Sequence, residues 1–255
     1  MSESKAGSAV VEQTLDGIPV WARPGVGEPS RRPVVIVLHG MSTRPAAMQA
    51  GWPPDGGDGF DRVYWRLPVL RDGKAALAAR RNQDLFLSLF AAVWAETRAE
   101  LPRLLAALSD RPVGLFGFSI GGFLALWGAL DHKSVGAAVS VGGVPNFDYL
   151  AAYYPDYPWE ASQTAAMRDR SNLLARVDEL AETPTLILHG RADDVARWEW
   201  MRPLAEALAD RSADRHPHQV LGHLRHRLQP ESPEESQDVD RVRGAAAAWF
   251  QRWLT

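Results

Sequence analysis

From Val113 to Leu130 the chain reads VGLFGFSIGGFLALWGAL, apolar almost throughout, with one hydroxyl, Ser119, in its middle. Val113 to Phe116, after Pro112, is an apolar run of strand length. Phe118 to Leu130 carries Phe123, Leu124, Leu126, Trp127 and Leu130 at helical spacing. Ser119 therefore lies where a buried strand passes directly into a buried helix. Such a turn demands an unusual backbone angle at the serine. Gly117 and Gly121, two residues to either side, carry no side chains that would collide across it.

The strand-then-helix unit recurs along the chain. Val34 to Leu38 is a continuous apolar strand ending in His39-Gly40, and DRVYWRLP is another strand. Asn82 to Leu108 has a long amphipathic helical pattern, with Pro102 expected to kink or split it. SVGAAVSVGG and PTLILHG read as buried strands. A helix follows from about Trp198 to Ala209, then a short strand in HPHQVLGH and a last helix from Pro233 to Leu254. TLDGIPVWARPG reads as a hairpin about Asp16-Gly17, and a short helix is expected near Pro45 to Ala50. This alternation predicts an α/β fold with a mostly parallel, doubly wound sheet covered by helices on both faces. At 255 residues the chain is expected to form a single domain over 1–255, with a loose tail over 1–10. Residues 144–182 break the rhythm. They are longer than an ordinary connection, aromatic and proline-punctuated at first and helical later, and are expected to form a small lid insertion.

Composition narrows the chemistry. A net charge of −3 gives no electrostatic footprint for nucleic acid or an anionic membrane surface. With no cysteine there is no disulfide, no thiolate metal site and no Cys nucleophile. No signal-peptide core or bilayer-length apolar run occurs, so the expected location is cytoplasmic. No metal is expected.

In its strand-to-helix setting, Gly117-Phe118-Ser119-Ile120-Gly121 is a G-x-S-x-G pattern that resembles the nucleophile elbow of the α/β-hydrolases. A serine hydroxyl needs a base to take its proton, a group to orient that base, and donors for the developing oxyanion. In this fold class the order along the chain is Ser, then Asp or Glu, then His. Of the seven histidines, His39 and His189 end strands before glycine, where a packed role is expected, and His132 ends the elbow helix. His216 and His218 flank the start of the last strand, at the far end from the site. His223, just past the end of that strand, is favoured as base, with His226 the alternative. Asp193, three residues after Gly190, is favoured as the acid over its neighbour Asp194 and over Asp148. The backbone N–H of Ile120, at a helix N-terminus, and that of Met41, after VLHG, are the candidate oxyanion donors.

Taken together, VIVLHGM, LFGFSIGGFLAL, LILHGRADD and LGHLRH stand in the order found in α/β-hydrolases. The chain is similar to the compact esterase branch related to dienelactone hydrolases and prolyl-oligopeptidase catalytic domains. The resemblance covers about Val34 to Leu254. It implies cofactor-free hydrolysis through an acyl-enzyme, with Ser119, Asp193 and His223 as the triad. Members of the family often continue after the acid as Asp-x-x-Val-Pro, where this chain has DDVARW. Dienelactone hydrolases proper use a cysteine nucleophile, which this chain lacks.

The expected function is hydrolysis of a small-molecule carboxylic ester with an acyl or aryl group, with no nucleic-acid or membrane partner. A peptidase or amidase of the same fold, or a non-catalytic binding relative, is the alternative. Trp94, Trp127, Trp249 and Trp253 lie on helix faces and are expected in the core. Trp52, Trp65, Tyr153, Tyr154 and Trp159 fall in loops near the expected site and are the candidate walls of a substrate pocket.

Overall fold

The computed structural model describes residues 10–23, 32–41, 48 and 59–255. The tail expected over 1–10, save Val10, the helix expected near Pro45 to Ala50, save Met48, and Trp52 lie outside the described residues.

The described residues build one eight-stranded sheet in the order β1-β2-β4-β3-β5-β6-β7-β8. The hairpin read around Asp16-Gly17 is β1 (Val11–Leu15) and β2 (Ile18–Arg23). It joins the sheet antiparallel, through β2 against β4 (Asp61–Trp65). From β4 through β3 (Val34–Leu38), β5 (Val113–Phe118), β6 (Val135–Val141), β7 (Thr185–Gly190) and β8 (His218–Leu221) every pairing is parallel. β3 and β5 lie side by side, with Ile36 opposite Leu115.

The central strands read as unbroken apolar runs because both faces are covered. Along β3, Val34, Ile36 and Leu38 enter one core while Val35 and Val37 enter the other. Along β5, Leu115 enters the first, and Phe116 and Phe118 the second. The first core is closed by α2 (Ala91–Ala106), α3 (Ile120–Asp131) and α7 (Trp198–Ser212), with α1 (Gly73–Gln83) resting on it through the partly buried Leu77. The apolar face of α2 and α3 supplies Trp94, Phe123 and Trp127 to it. The second is closed by α8 (Pro233–Leu254), through Val239, Val242, Trp249 and Phe250. Each fully buried ring of this kind stabilises the fold by about 1.5–3 kcal/mol.

The helix expected over Asn82–Leu108 is instead two helices with a break at Asp84. There the backbone is extended (φ −164°, ψ 115°), and the Asp84 carboxylate accepts from the N–H groups of Phe86 and Leu87. A π-helical turn, Leu85–Phe90, follows before α2 begins. Pro102 neither splits nor ends α2, which runs on through it to Ala106.

Between β6 and β7 the segment over 144–182 carries α4 (Leu150–Tyr153), α5 (Ser162–Arg170), a 3₁₀ turn (Leu173–Arg176) and α6 (Val177–Leu180). Among the described residues no helix is long and apolar enough to cross a membrane.

Candidate active site

Ser119 stands between β5 and α3 with φ 59° and ψ −126°, a conformation that side chains other than glycine rarely adopt. The turn is tight enough to need its two glycines. A Cβ on Gly117 would lie 1.9 Å from the Gly121 carbonyl oxygen, and one on Gly121 would lie 2.2 Å from that of Leu38. Strand, glycines and helix together hold the hydroxyl at the carboxyl end of a central strand. In open α/β sheets that edge is where ligands bind.

The loops after β7 and β8 end at the same edge. His226 Nε2 lies 2.7 Å from Ser119 Oγ, and His226 Nδ1 lies 2.8 Å from Asp193 Oδ2. The Asp193 side chain is fully buried and that of His226 half-buried. The second Asp193 oxygen accepts from the backbone N–H groups of Val195, at 3.0 Å, and Ala196, at 2.8 Å. The carboxylate is thus held within its own loop and presents one oxygen to the imidazole. The Phe118 ring packs against the other side of the imidazole, 5.1 Å between centroids.

This geometry corrects the expectation of His223 at that position. His223 is exposed, and its backbone N–H donates to Asp238 Oδ2 of α8 at 2.7 Å; the next N–H, of Leu224, donates to the same oxygen. Leu224 is buried, with its carbonyl against Gly190. The turn over residues 222–224 is therefore anchored with its apolar residue inward. Only after it does the chain come back over Ser119, which brings His226 there and leaves His223 outside.

Asp193, rather than Asp194 or Asp148, is the carboxylate the structure brings to the imidazole. Asp148 pairs instead with Arg168. The other histidines are placed elsewhere. His39 Nε2 accepts from the Leu67 N–H. His189, fully buried, donates from Nε2 to the Ala196 carbonyl, and burial pushes its pKa below the ordinary imidazole value. His216 bonds Thr185.

Ser119 and His226 open into a cavity of 620 Å³. Gly40, Met41 and Ile120 line it beside Ser119, so both candidate oxyanion donors border the cavity. Ile120 is the first residue of α3, where a backbone N–H has no acceptor within the helix and the helix dipole favours negative charge. Tyr149, Leu150, Tyr153 and Tyr154, at and around α4, form one wall. Arg81 of α1 with Leu85, Leu89 and Phe90 of the π-helical turn form another part of the lining.

Two of the aromatic residues expected in the pocket are not there. Trp65 ends β4 with its ring fully inside the first core, its Nε1–H donated to Glu100 at 3.0 Å. Trp159 is buried behind the wall. Its ring packs on Phe86 and Tyr157, and its Nε1–H donates to the Tyr154 carbonyl. Sequence reasoning missed the wall formed by Arg81, Leu85, Leu89 and Phe90, because it began one long helix at Asn82, leaving the helix that carries Arg81 unread and the break at Asp84 unseen. Asp84, a good helix N-cap residue, was the signal available.

The arrangement supplies what acyl transfer asks of a protein. It has a hydroxyl bonded to an imidazole, a carboxylate that orients the imidazole, N–H groups at a helix N-terminus, and an apolar space for an acyl group.

Comparison with known proteins bears on the same features. The prolyl oligopeptidase family matches residues 105–255, more than half of the chain. "Dipeptidyl peptidase family member 1" of Caenorhabditis elegans is 30% identical over 109 residues, 42% of this chain but 13% of that protein. The chain thus spans a small part of the length of that curated relative. The crystal structure of TT1662 from Thermus thermophilus superposes with a TM-score of 0.73 at 19% identity, covering 96% of this chain and 98% of that one. The acylaminoacyl peptidase of Pyrococcus horikoshii gives 0.68 at 14% identity, covering 99% of this chain and 42% of that one. The esterase domain of a Rhodothermus marinus protein gives 0.62 at 19% identity, covering 97% and 99%. At these identities the superpositions show a shared α/β-hydrolase fold. A peptidase and an esterase both have it, so the fold leaves the scissile bond open.

Proposed function

The chain belongs to the prolyl oligopeptidase family of serine hydrolases with the α/β-hydrolase fold, and we propose that it hydrolyses carboxylic esters with small or medium acyl or aryl groups. The observation that carries this reading is the continuous hydrogen-bonded path from Ser119 through His226 to Asp193, opening onto a cavity walled by tyrosines, leucines and Phe90.

In this reading Ser119 Oγ attacks the ester carbonyl while His226 Nε2 takes its proton. Asp193 holds the imidazole with its other nitrogen protonated and offsets the imidazolium charge. The N–H groups of Ile120 and Met41 receive the oxyanion; each such donor is worth about 3 kcal/mol in comparable sites. His226 then returns the proton to the leaving alcohol. A water, deprotonated by the same imidazole, releases the acid from the acyl-enzyme. The segment over 144–182 acts as a lid, its tyrosine wall giving the acyl group apolar contact and keeping water from the oxyanion.

Hydrolysis of an amide or peptide bond by the same residues is the second reading, and the family membership favours it. A matched pair of substrates separates the two: a p-nitrophenyl ester and a p-nitroanilide carrying the same acyl group. The ester reading expects turnover of the ester and no measurable turnover of the anilide. Sustained cleavage of the anilide, even if slower than that of the more reactive ester, supports the amide reading.

A further inference from the structure

The loop that carries Asp193 is short, and its Val195, 46% exposed, lines the cavity. Its own turn, with Asp193 Oδ1 accepting from Val195 and Ala196, fixes the carboxylate relative to the loop but not the loop relative to Ser119. Three contacts from outside fix that. The Arg191 N–H donates to the Leu221 carbonyl, and His189 donates to the Ala196 carbonyl at 2.5 Å; both tie the loop to the strands beneath it. The third comes from above. The Tyr153 hydroxyl lies 2.7 Å from the Asp194 carbonyl oxygen and 2.9 Å from that of Val195, so a single O–H is shared between two consecutive carbonyls.

Tyr153 also lines the cavity. Its ring is held edge-on against Tyr149, at 6.3 Å, and Trp200, at 6.0 Å. Burial, opposed by the Arg197 charge and aided by Asp194 and Asp193, raises the phenol's pKa above its ordinary value of 10.0, so the hydroxyl keeps its proton at neutral pH and remains a donor.

We propose that Tyr153 is a positioning residue whose hydroxyl ties the tyrosine wall of the cavity to the Asp193 loop, so that contacts made by an acyl group with that wall are transmitted to the carboxylate behind His226. The proposal rests on the reading of Ser119, His226 and Asp193 as the catalytic set. It gives the wall two separate effects. Ring contact with the acyl group contributes to binding. The hydroxyl contributes to kcat, because acyl contacts that steady Asp193 act on the step in which imidazolium forms.

Tyr153→Phe separates the two effects, since it removes the hydroxyl and keeps the ring. Two measurements are made on the full chain. One is amide hydrogen exchange of Val195 and Ala196, whose N–H groups hold Asp193. The other is steady-state hydrolysis of a p-nitrophenyl ester. The proposal expects faster exchange at both amides, kcat lower by about threefold to tenfold, and KM within about twofold of wild type. Tyr153→Ala, which also loses the ring, is expected to raise KM in addition. Unchanged exchange in Tyr153→Phe overturns the proposal. So does faster exchange with unchanged kcat, because the loop would then loosen without consequence for the chemistry. If the wild type turns over no ester, it is the ester reading that fails, and the exchange measurement still decides whether Tyr153 holds the loop.

Discussion

His226 Nε2 lies 2.7 Å from Ser119 Oγ, while His223, three residues earlier, is exposed and bonded through its backbone N–H to Asp238. The two imidazoles are therefore expected to differ sharply in importance. His226→Ala should lower kcat for a p-nitrophenyl ester by about 10⁴-fold or more, with KM little changed. His223→Ala should stay within about twofold of wild type. The reverse order would place the base on the wrong residue.

The cavity wall and the layer behind it should also separate. Tyr154 lines the cavity, whereas Trp159 is packed among Phe86 and Tyr157 with its N–H on the Tyr154 carbonyl. Tyr154→Ala should change the ratio of kcat/KM between short and long acyl esters and cost less stability than loss of the fully packed indole, since Tyr154 is only half-buried against the first core. Trp159→Ala should lower stability by about 3–5 kcal/mol, as loss of a buried indole does. Chain-length profiles and urea unfolding of the two variants test this.

Asp84 ties the π-helical turn to the segment over 144–182. Its carboxylate caps the π-helical turn and accepts from the Tyr157 hydroxyl at 2.6 Å. Asp84→Ala should cost about 1–2 kcal/mol in urea unfolding. Asp84→Asn, which keeps an acceptor oxygen, should cost less.

Acid should loosen the segment that follows His226 through Glu235. Glu235 accepts from the Arg227 guanidinium and from the Glu231 N–H. The Arg227 hydrogen bonds, with the backbone bond behind them, hold its carboxyl below the ordinary value of 4.5. A carboxyl whose pKa is lowered on folding stabilises the fold above its unfolded value, and that contribution fades as pH falls through the folded one. Wild type should therefore melt above Glu235→Gln at neutral pH. The two curves should converge as pH drops below about 4.5. Coincident curves at every pH would mean that the Glu235 pair adds nothing, and a constant offset down to pH 3 that its contribution does not depend on the carboxylate charge.

The parallel core of the sheet and the elbow were legible because they rest on local chemistry. Four-to-seven-residue apolar runs buried on both faces leave no other reading, and a glycine–serine–glycine seam between strand and helix has few uses. The identity of the histidine was not legible in the same way. It depends on Asp238 capturing the turn at residues 222–224 and on Leu224 packing against Gly190, contacts between segments far apart in sequence. The wall with Arg81, Leu85, Leu89 and Phe90 was hidden for a different reason. Phe86, Leu89, Phe90, Val93 and Trp94 keep a helical period across a change of backbone state, so periodicity alone reads the π-helical turn and α2 as one element and leaves the helix over Gly73–Gln83 before it unread. Trp65 and Trp159 were placed by loop position, whereas the structure sets both indoles by where their N–H groups find acceptors.

The central claim is that Ser119, held at a positive φ and bonded to His226, is the nucleophile. It is tested most directly by intact-mass analysis after treatment with a fluorophosphonate. The account predicts one stoichiometric adduct on wild type that maps to Ser119, none on Ser119→Ala, and strongly slowed labelling on His226→Ala. A folded wild type that takes no adduct, or a Ser119→Ala protein labelled as fast as wild type, would contradict it.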